Sequence, residues 1–565
     1  MRTLTYPTRE FYAFITRLFA AFSVTFCCSA VLASDKPNIL LLMAEDLSPR
    51  IGAFGDSIAQ TPHIDALAER GVRFTNIFTT SGVCAPSRAA TIMGLHQISF
   101  GAQHMRTSRQ DYLALPPVDA KAFPELLRRQ GYYTLTDAKL DYQFSGTMGD
   151  GPFTIWDVQG RKVSIEDTPL NKPFFAQINF ALTHESGVFP PLGSWPNSVT
   201  HFVMQLMRSI LNWSAPDGKP VAAEEITLEP YYPDTTTVRE DIARHYQNIS
   251  AMDTQVGQII DHLETNGLAE NTIVIWTSDH GDGLPRAKRE LYDSGLKVPM
   301  VVYWPEKFRP DHLLPGSADS RLVSFVDLAP TILALAGADI PDAMHGQDIF
   351  NSTTPARKYI YASRDRIDEV PDRQRAIRSE KYKLIRSYRP KQIGGHPLAF
   401  RDNIPMMREM QSLFEEGKLN KAQSLWFEPP GVQRLFDIKN DPFELKNLAN
   451  STKHQAILKE LNRELDAWLA RVGDLSELSE QEMISRFQPS GQPQVTPTPT
   501  VRIGSSGVTI QSRERHASLG YSLNDGDWQL YTGPIKVKSG DLITAKAIRY
   551  GWVESEPLSV TIGNL

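Results

Sequence analysis

Three short stretches of this chain hold residue types that do chemistry. The acidic pair Glu45-Asp46 and the pair Asp279-His280 are oxygen-rich donor sets that suit a hard divalent cation such as Ca²⁺ or Mg²⁺. Cys84 lies in SGVCAPSRAA (81–90), a small, polar, proline-broken run, with Arg88 four residues on. Alone, either acidic pair reads as a solvated turn. Both follow stretches that read as buried strands, and in open α/β sheets ligand groups gather beyond the carboxyl ends of strands.

The fate of the thiol depends on compartment. Arg2, Arg9 and Arg17 form a positive leader, 18–32 is apolar, and Val31-Leu32-Ala33 puts small residues before a cut at Ser34. This predicts an export signal over 1–33 and a periplasmic or secreted protein, the alternative being an uncleaved N-terminal anchor. Phe26 before Cys27 disfavours a lipoprotein. Cleavage removes Cys27 and Cys28 and leaves Cys84 alone in a compartment that permits disulfides. Such a cysteine is a candidate for pairing, reactivity or modification. A buried inert thiol is the alternative, but Ser, Gly, Ala, Pro and Arg neighbours do not make an apolar pocket.

The elements that must position these groups alternate. NILLLM (38–43) reads as a buried strand, 61–70 as a helix, and 72–78 as a strand. A helix over 123–130, strands at 132–136, 174–180 and 272–277, and a long helix over 239–265 continue the pattern. This is an α/β domain with a largely parallel sheet. From about 350 the texture changes to short antiparallel strands (375–387, 434–450) and a helix over 453–472, a smaller α+β subdomain. RFQPSGQPQVTPTPT (486–500) reads as an extended linker, followed by a β-sandwich module over 501–565. That module resembles those appended to secreted carbohydrate-active enzymes. The expected division is thus 1–33 signal, 34–349 catalytic domain, 350–485 subdomain, 486–500 linker and 501–565 accessory sandwich.

Hydrophobic residues at 41% and charged residues at 22% are ordinary for a globular protein. Removing the signal, with its three Arg and one Glu, takes the formal charge from −6 to −8. That excludes a general nucleic-acid binder, and an anionic substrate needs a locally basic pocket. No second apolar run is long enough for a stable membrane span after signal removal.

At Cys84-Ala85-Pro86-Ser87-Arg88 the sequence resembles the C-x-P-S-R motif of type I sulfatases, in the alkaline phosphatase superfamily. Four further blocks fall in family order: PNILLLMAEDLS (37–48), GYYTLTDAKLD (131–141), TSDHGDGLPRAKRELYDSG (277–295) and LFDIKNDPFELKNLA (435–449). The resemblance covers roughly 37–475 and implies an alkaline-phosphatase-like, mostly parallel sheet. It also implies that a maturation enzyme oxidises Cys84 to formylglycine (3-oxoalanine), whose hydrate attacks sulfur.

Carried over residue by residue, Glu45, Asp46, Asp279 and His280 match metal ligands, for Ca²⁺, with Cys84 also touching the metal. Arg88 and Lys139 match groups that position nucleophile and sulfate, and a permanent charge at Arg88 favours an ionised neighbour. His184 in FALTHES matches a general acid near the leaving oxygen, and Lys288 the second catalytic lysine, with Tyr292 and Asp293 at the family's spacing. Glu45 is a longer variant of a frequent Asp. Asp141 stands where the family commonly has histidine. Either Asp141 or His104 is expected to take that role.

RDRIDEVPDRQRAIRS (364–379) resembles the branch holding N-sulfoglucosamine sulfohydrolases and bacterial polysaccharide sulfatases, which makes His104, Asp141, Arg364 and Asp368 candidate sugar contacts; a surface charge run is the alternative. The expected function is sulfate hydrolysis on a sulfated glycan, O- or N-linked. Two other classes stand beside it: a phosphatase or phosphodiesterase of the superfamily, and a non-catalytic glycan-binding homologue.

Overall fold

In the computed structural model of the protein, residues 36–144, 151–211, 218–504 and 507–563 are described. The expected signal, 1–33, lies outside them. Strand β1 (Asn38–Ala44) is buried along its whole length. Ile39, Leu41 and Met43 enter one apolar cluster, and Leu40, Leu42 and Ala44 the other. Side chains alternate across a strand, so a run apolar at every position belongs where both faces of a sheet are covered.

Eight further strands complete the sheet: β2 (Val72–Phe78), β3 (Tyr133–Thr136), β4 (Val158–Gln159), β5 (Phe174–Phe180), β6 (Thr272–Ser278), β7 (Lys297–Tyr303), β8 (Ala318–Asp319) and β9 (Val323–Ser324). The order is β4-β3-β5-β1-β6-β7-β2-β8, with β9 also on β2. The run from β4 to β6 is parallel, and β7 is antiparallel to β6 and to β2. The long helix Thr236–Thr265, capped by the Thr235 hydroxyl accepting from Val238 N–H, packs on one face.

The smaller subdomain is an antiparallel meander of β10 (Ile360–Arg364), β11 (Gln374–Arg378), β12 (Tyr382–Ser387) and β13 (Gln433–Asp437). Helix Gln455–Val472 lies on it through Leu458, Leu461, Leu465 and Trp468, whose indole stacks on Tyr361 with centroids 4.7 Å apart. The C-terminal strands form two small sheets, β14 (Thr500–Gly504) with β15 (Gly507–Gln511), and β17 (Gln529–Leu530), β16 (Ser518–Leu523), β18 (Leu542–Ile548) and β19 (Leu558–Thr561). Val508, Ile510, Ile535, Ile543 and Ile562 fill the space between them.

The stretch 486–500 differs from a free spacer. Its first residues close helix Glu480–Phe487, and the Phe487 ring lies 6.4 Å from that of Tyr112. Thr496 N–H then donates to Val553 O at 2.9 Å. The module is also tied to the main sheet's helices: Tyr550 and Ser518 donate to the buried Glu125 carboxylate at 2.5 and 2.8 Å. From Lys36 onward the chain forms one compact unit.

Candidate active site

The sheet register assembles the site. Ala44, the last residue of β1, pairs with Ser278 of β6 and Phe180 of β5. The chain beyond these three ends carries Glu45-Asp46, Asp279-His280 and His184-Glu185 to one place. Asp279 N–H donates to Ala44 O at 3.0 Å, and Asp46 N–H to Asp279 Oδ1 at 3.1 Å. Two glycines of DHGDG make the approach possible. A Cβ on Gly281 would lie 2.0 Å from Ser294 O, and one on Gly283 2.7 Å from Glu185 Cα.

Cys84 opens helix Cys84–Met93, all ten residues of which are buried. Its Sγ lies 3.3 Å from His280 Nε2 and 3.8 Å from Asp46 Oδ1. The neighbours in CAPSR fix this placement. Ser87 Oγ donates to Asp279 O at 2.7 Å, Arg88 Nε to Asp279 Oδ2 at 3.0 Å, and Arg88 Nη1 to Asn179 Oδ1 at 2.6 Å. Asn179 is held in turn by Asp137, which accepts from both its backbone and side-chain nitrogens at 2.7 Å.

The donor set fits a hard cation. Ligand atoms of Asp46, Cys84, Asp279 and His280 all lie within 4.8 Å of one another, as do those of Glu45, Asp46, Cys84 and His184. His280 Nδ1 faces Gly281 O at 2.9 Å, so it carries the proton in the neutral ring. That turns the Nε2 lone pair toward Asp46 Oδ1 at 3.0 Å and Asp279 Oδ1 at 3.7 Å. Three acceptors aimed at one point repel unless a positive charge lies among them. Accordingly, although burial opposes it, Asp279 and Asp46 push His280 toward its charged form.

A positive frame surrounds the carboxylates. Lys139 Nζ is 3.2 Å from Glu45 Oε2 and 3.7 Å from Asp141 Oδ2. Lys288 bonds Asp46 Oδ2 and lies 3.9 Å from Glu185 Oε1. Burial disfavours both ammonium charges, but Glu45 and Asp46 respectively hold the two lysines above their ordinary range. His184 is the converse case. Burial, aided by Lys288, keeps its imidazole neutral, and Ser186 N–H donates to Nδ1 at 3.3 Å. The Nε2 nitrogen then bears the proton. A cavity of about 250 Å³ opens against Glu45 and Lys139, with Asp137, Asn179, Arg161 and Leu211 in its lining.

The nine expected catalytic and metal residues therefore converge, and of the four expected sugar contacts Asp141 joins them beside Lys139. Arg364 is 3% exposed and committed to Glu290 and Asp372 at 2.6 and 3.1 Å. His104 is buried, its Nδ1 accepting from Arg366 N–H, and burial lowers it to about 4. Neither is open to a sugar. Asp368 stays partly exposed between Arg109 and Arg289, at 3.2 and 3.4 Å. Asp141 is buried beside Lys139, and Arg106 grips it with two bonds of 2.7 and 2.8 Å. Tyr292 and Asp293 serve the subdomain contact, bonding Arg434 and Arg378. Sequence reasoning missed Arg106, Asn179, Asp137, Glu185 and Arg289, the last two joined by paired bonds of 2.6 and 2.7 Å. Glu185 and Arg289 each adjoin a recognised residue, which was the available signal.

Comparison with known proteins agrees with this geometry. Residues 37–338 match the family profile described as Sulfatase, and 286–425 that of N-sulphoglucosamine sulphohydrolase, C-terminal. An ulvan-active sulfatase of Formosa agariphila is 38% identical over 561 residues, spanning 94% of this chain and 92% of that protein. N-sulphoglucosamine sulphohydrolase of Homo sapiens is 26% identical, spanning 78% of this chain and 92% of its own. Among solved structures, a 2-O GAG sulfatase shares the fold with a TM-score of 0.54 at 19% identity, over 79% of this chain and 94% of that one. The chain belongs to the sulfatase family and is a sulfuric ester hydrolase.

Proposed function

We propose that the protein is exported through its 1–33 segment and removes sulfate groups from a sulfated polysaccharide or its oligosaccharides, with Cys84 as the precursor of the nucleophile. The observation that carries this reading is that Asp46 and Cys84 belong to two overlapping donor clusters, one completed by Asp279 and His280 and the other by Glu45 and His184, framed by Arg88, Lys139 and Lys288. The 38% identity to an ulvan-active sulfatase supports a glycan of that kind as substrate.

Those four residues would hold one divalent cation, with Ca²⁺ favoured by the oxygen-rich donors. Such an ion supplies Lewis-acid polarisation of sulfate oxygens, and formylglycine at position 84 supplies a hydroxyl nucleophile. The chain's own residues do the rest. The basic groups Arg88, Arg106, Lys139, Lys288 and Arg289 face the acids Glu45, Asp46, Asp141, Glu185 and Asp279 one for one. A balanced frame that also takes a divalent cation gains surplus positive charge, which matches an anionic sulfate. Arg88 and Lys139 orient the sulfate. His184 presents Nε2–H to the leaving sugar oxygen. Although burial opposes it, Arg106 and Lys139 hold Asp141 ionised well below the ordinary carboxylate range, so it stands as a fixed negative charge where the family has histidine. The net reaction breaks the S–O bond, consumes water and yields sugar hydroxyl and sulfate.

The match of 286–425 to the N-sulphoglucosamine sulphohydrolase profile favours a second reading, in which the bond cleaved is N–S. Sulfate release from ulvan oligosaccharides and from N-sulfoglucosamine, and phosphate release from an aryl phosphate, separate the possibilities. Release from the O-sulfated glycan alone supports the first reading, from N-sulfoglucosamine the second, and phosphate release would overturn both.

A further inference from the structure

Helix Val199–Ile210 is built inside out. A surface helix ordinarily turns its apolar stripe to the core and its polar face to water. Here the polar residues are buried and bonded. His201 and Gln205 reach Pro190 O at 2.9 and 3.0 Å, and Arg208 donates to Leu182 O at 3.1 Å and Ser186 Oγ at 3.2 Å. The apolar residues face outward: Val199 is 81% exposed, Phe202 49%, Val203 43%, Leu206 41% and Ile210 70%, with Leu192 at 53% and Trp195 at 92% beside them. Together these seven residues leave roughly 800 Å² of surface uncovered, close to one partner's share of a standard interface.

The spacing identifies the partner. Val199, Val203, Leu206 and Ile210 fall at intervals of four, three and four, the d-a-d-a seam of a helix pair. The series is symmetric about its midpoint. An antiparallel copy sets Val199 against the partner's Ile210 and Val203 against the partner's Leu206, the self-complementarity that a twofold interface requires. A membrane surface fits less well, because lipid-bound helices carry Lys and Arg beside the apolar face. The helix's one Lys or Arg, Arg208, is turned inward, and among the described residues up to 225 the exposed charges that follow are Lys219, Glu224 and Glu225.

We propose that helix Val199–Ile210 is the core of a homodimer interface, packed antiparallel on the same helix of a second copy. Its inward face holds the turn that carries His184, so one helix serves both the interface and the site. Sedimentation equilibrium of the purified chain at micromolar concentration tests this. The wild type is expected to have twice the mass of one chain. Val203→Glu with Leu206→Glu is expected to halve that mass while leaving the far-ultraviolet circular dichroism of the folded chain unchanged. Should that variant fail to fold, Val199→Cys with Ile210→Cys gives a second test. These positions lie too far apart along one helix to bridge within a chain, so oxidation must produce a covalent dimer. A monomeric wild type, a dimer indifferent to the glutamates, no covalent dimer, or flotation of a monomeric chain with phosphatidylcholine–phosphatidylglycerol vesicles would overturn the proposal.

Discussion

Lys288 offers a quantitative test of the electrostatic frame. The residue is 2% exposed, its ammonium bonded to Asp46 and 3.9 Å from Glu185. Glu185 keeps Arg289 in any Lys288 variant, but among the described residues Asp46 has no other basic side chain bonded to it besides His280. Lys288→Met removes the charge and keeps most of the volume. Breaking a buried pair by deleting one partner costs about 3–5 kcal/mol of stability, because the remaining charge is uncompensated. A bound cation offsets part of this, so the loss should be larger without Ca²⁺ than with it. Removing one preorganised charge at a reacting centre lowers kcat by about 10²–10³. The assay is sulfate release at saturating Ca²⁺, alongside thermal unfolding with and without the ion. The fall should lie in kcat rather than KM, and Lys288→Arg should recover part of it. A kcat within about threefold of wild type (less than about 1 kcal/mol) with an unchanged unfolding midpoint would refute the assignment.

Chelation should abolish activity and Ca²⁺ restore it, and at a hundredfold excess over Kd the ion should add about 2.7 kcal/mol of stability. His280→Ala should raise the Ca²⁺ concentration needed, and cation-independent turnover would contradict the site. Arg106→Ala frees the Asp141 carboxylate and should lower kcat/KM by roughly tenfold to a hundredfold, the worth of a lost charge-assisted pair. Arg106→Lys should recover only part, since lysine cannot reproduce the two-bond grip, and full activity in either variant would remove the pair from the mechanism. Docking of the C-terminal module should weaken in acid. Burial raises the Glu125 carboxyl, but Lys121 and Arg129 outweigh it and hold the group below its ordinary 4.5. Its contribution is complete above that value and is lost as pH falls through the lower folded value. Proteolysis of the module should accelerate there, and in Glu125→Ala at neutral pH; equal resistance in the variant would contradict the contact.

The site was legible where chemistry follows directly on a strand. NILLLM then Glu45-Asp46, and TIVIWTS then Asp279-His280, announce a buried strand and its functional end in one reading, and β5 falls on the span that periodicity predicts. Arg364 shows why the rest was not. A charged run looks the same in sequence whether water or Glu290 and Asp372 surround it. The Arg106–Asp141 pair and the Tyr550–Glu125 contact join residues 35 and 425 positions apart, which no local pattern encodes. Helix Val199–Ile210 escaped notice because its polar residues are satisfied by backbone carbonyls of neighbouring loops rather than by water.

The central claim is that Cys84 is the precursor of the nucleophile. The direct test is the mass of the tryptic peptide 74–88 from protein made alongside an active maturation enzyme. A peptide in which Cys84 has lost sulfur and gained an aldehyde oxygen is the predicted result. An intact thiol under those conditions would contradict the account and detach the residues around Cys84 from the sulfatase chemistry assigned to them.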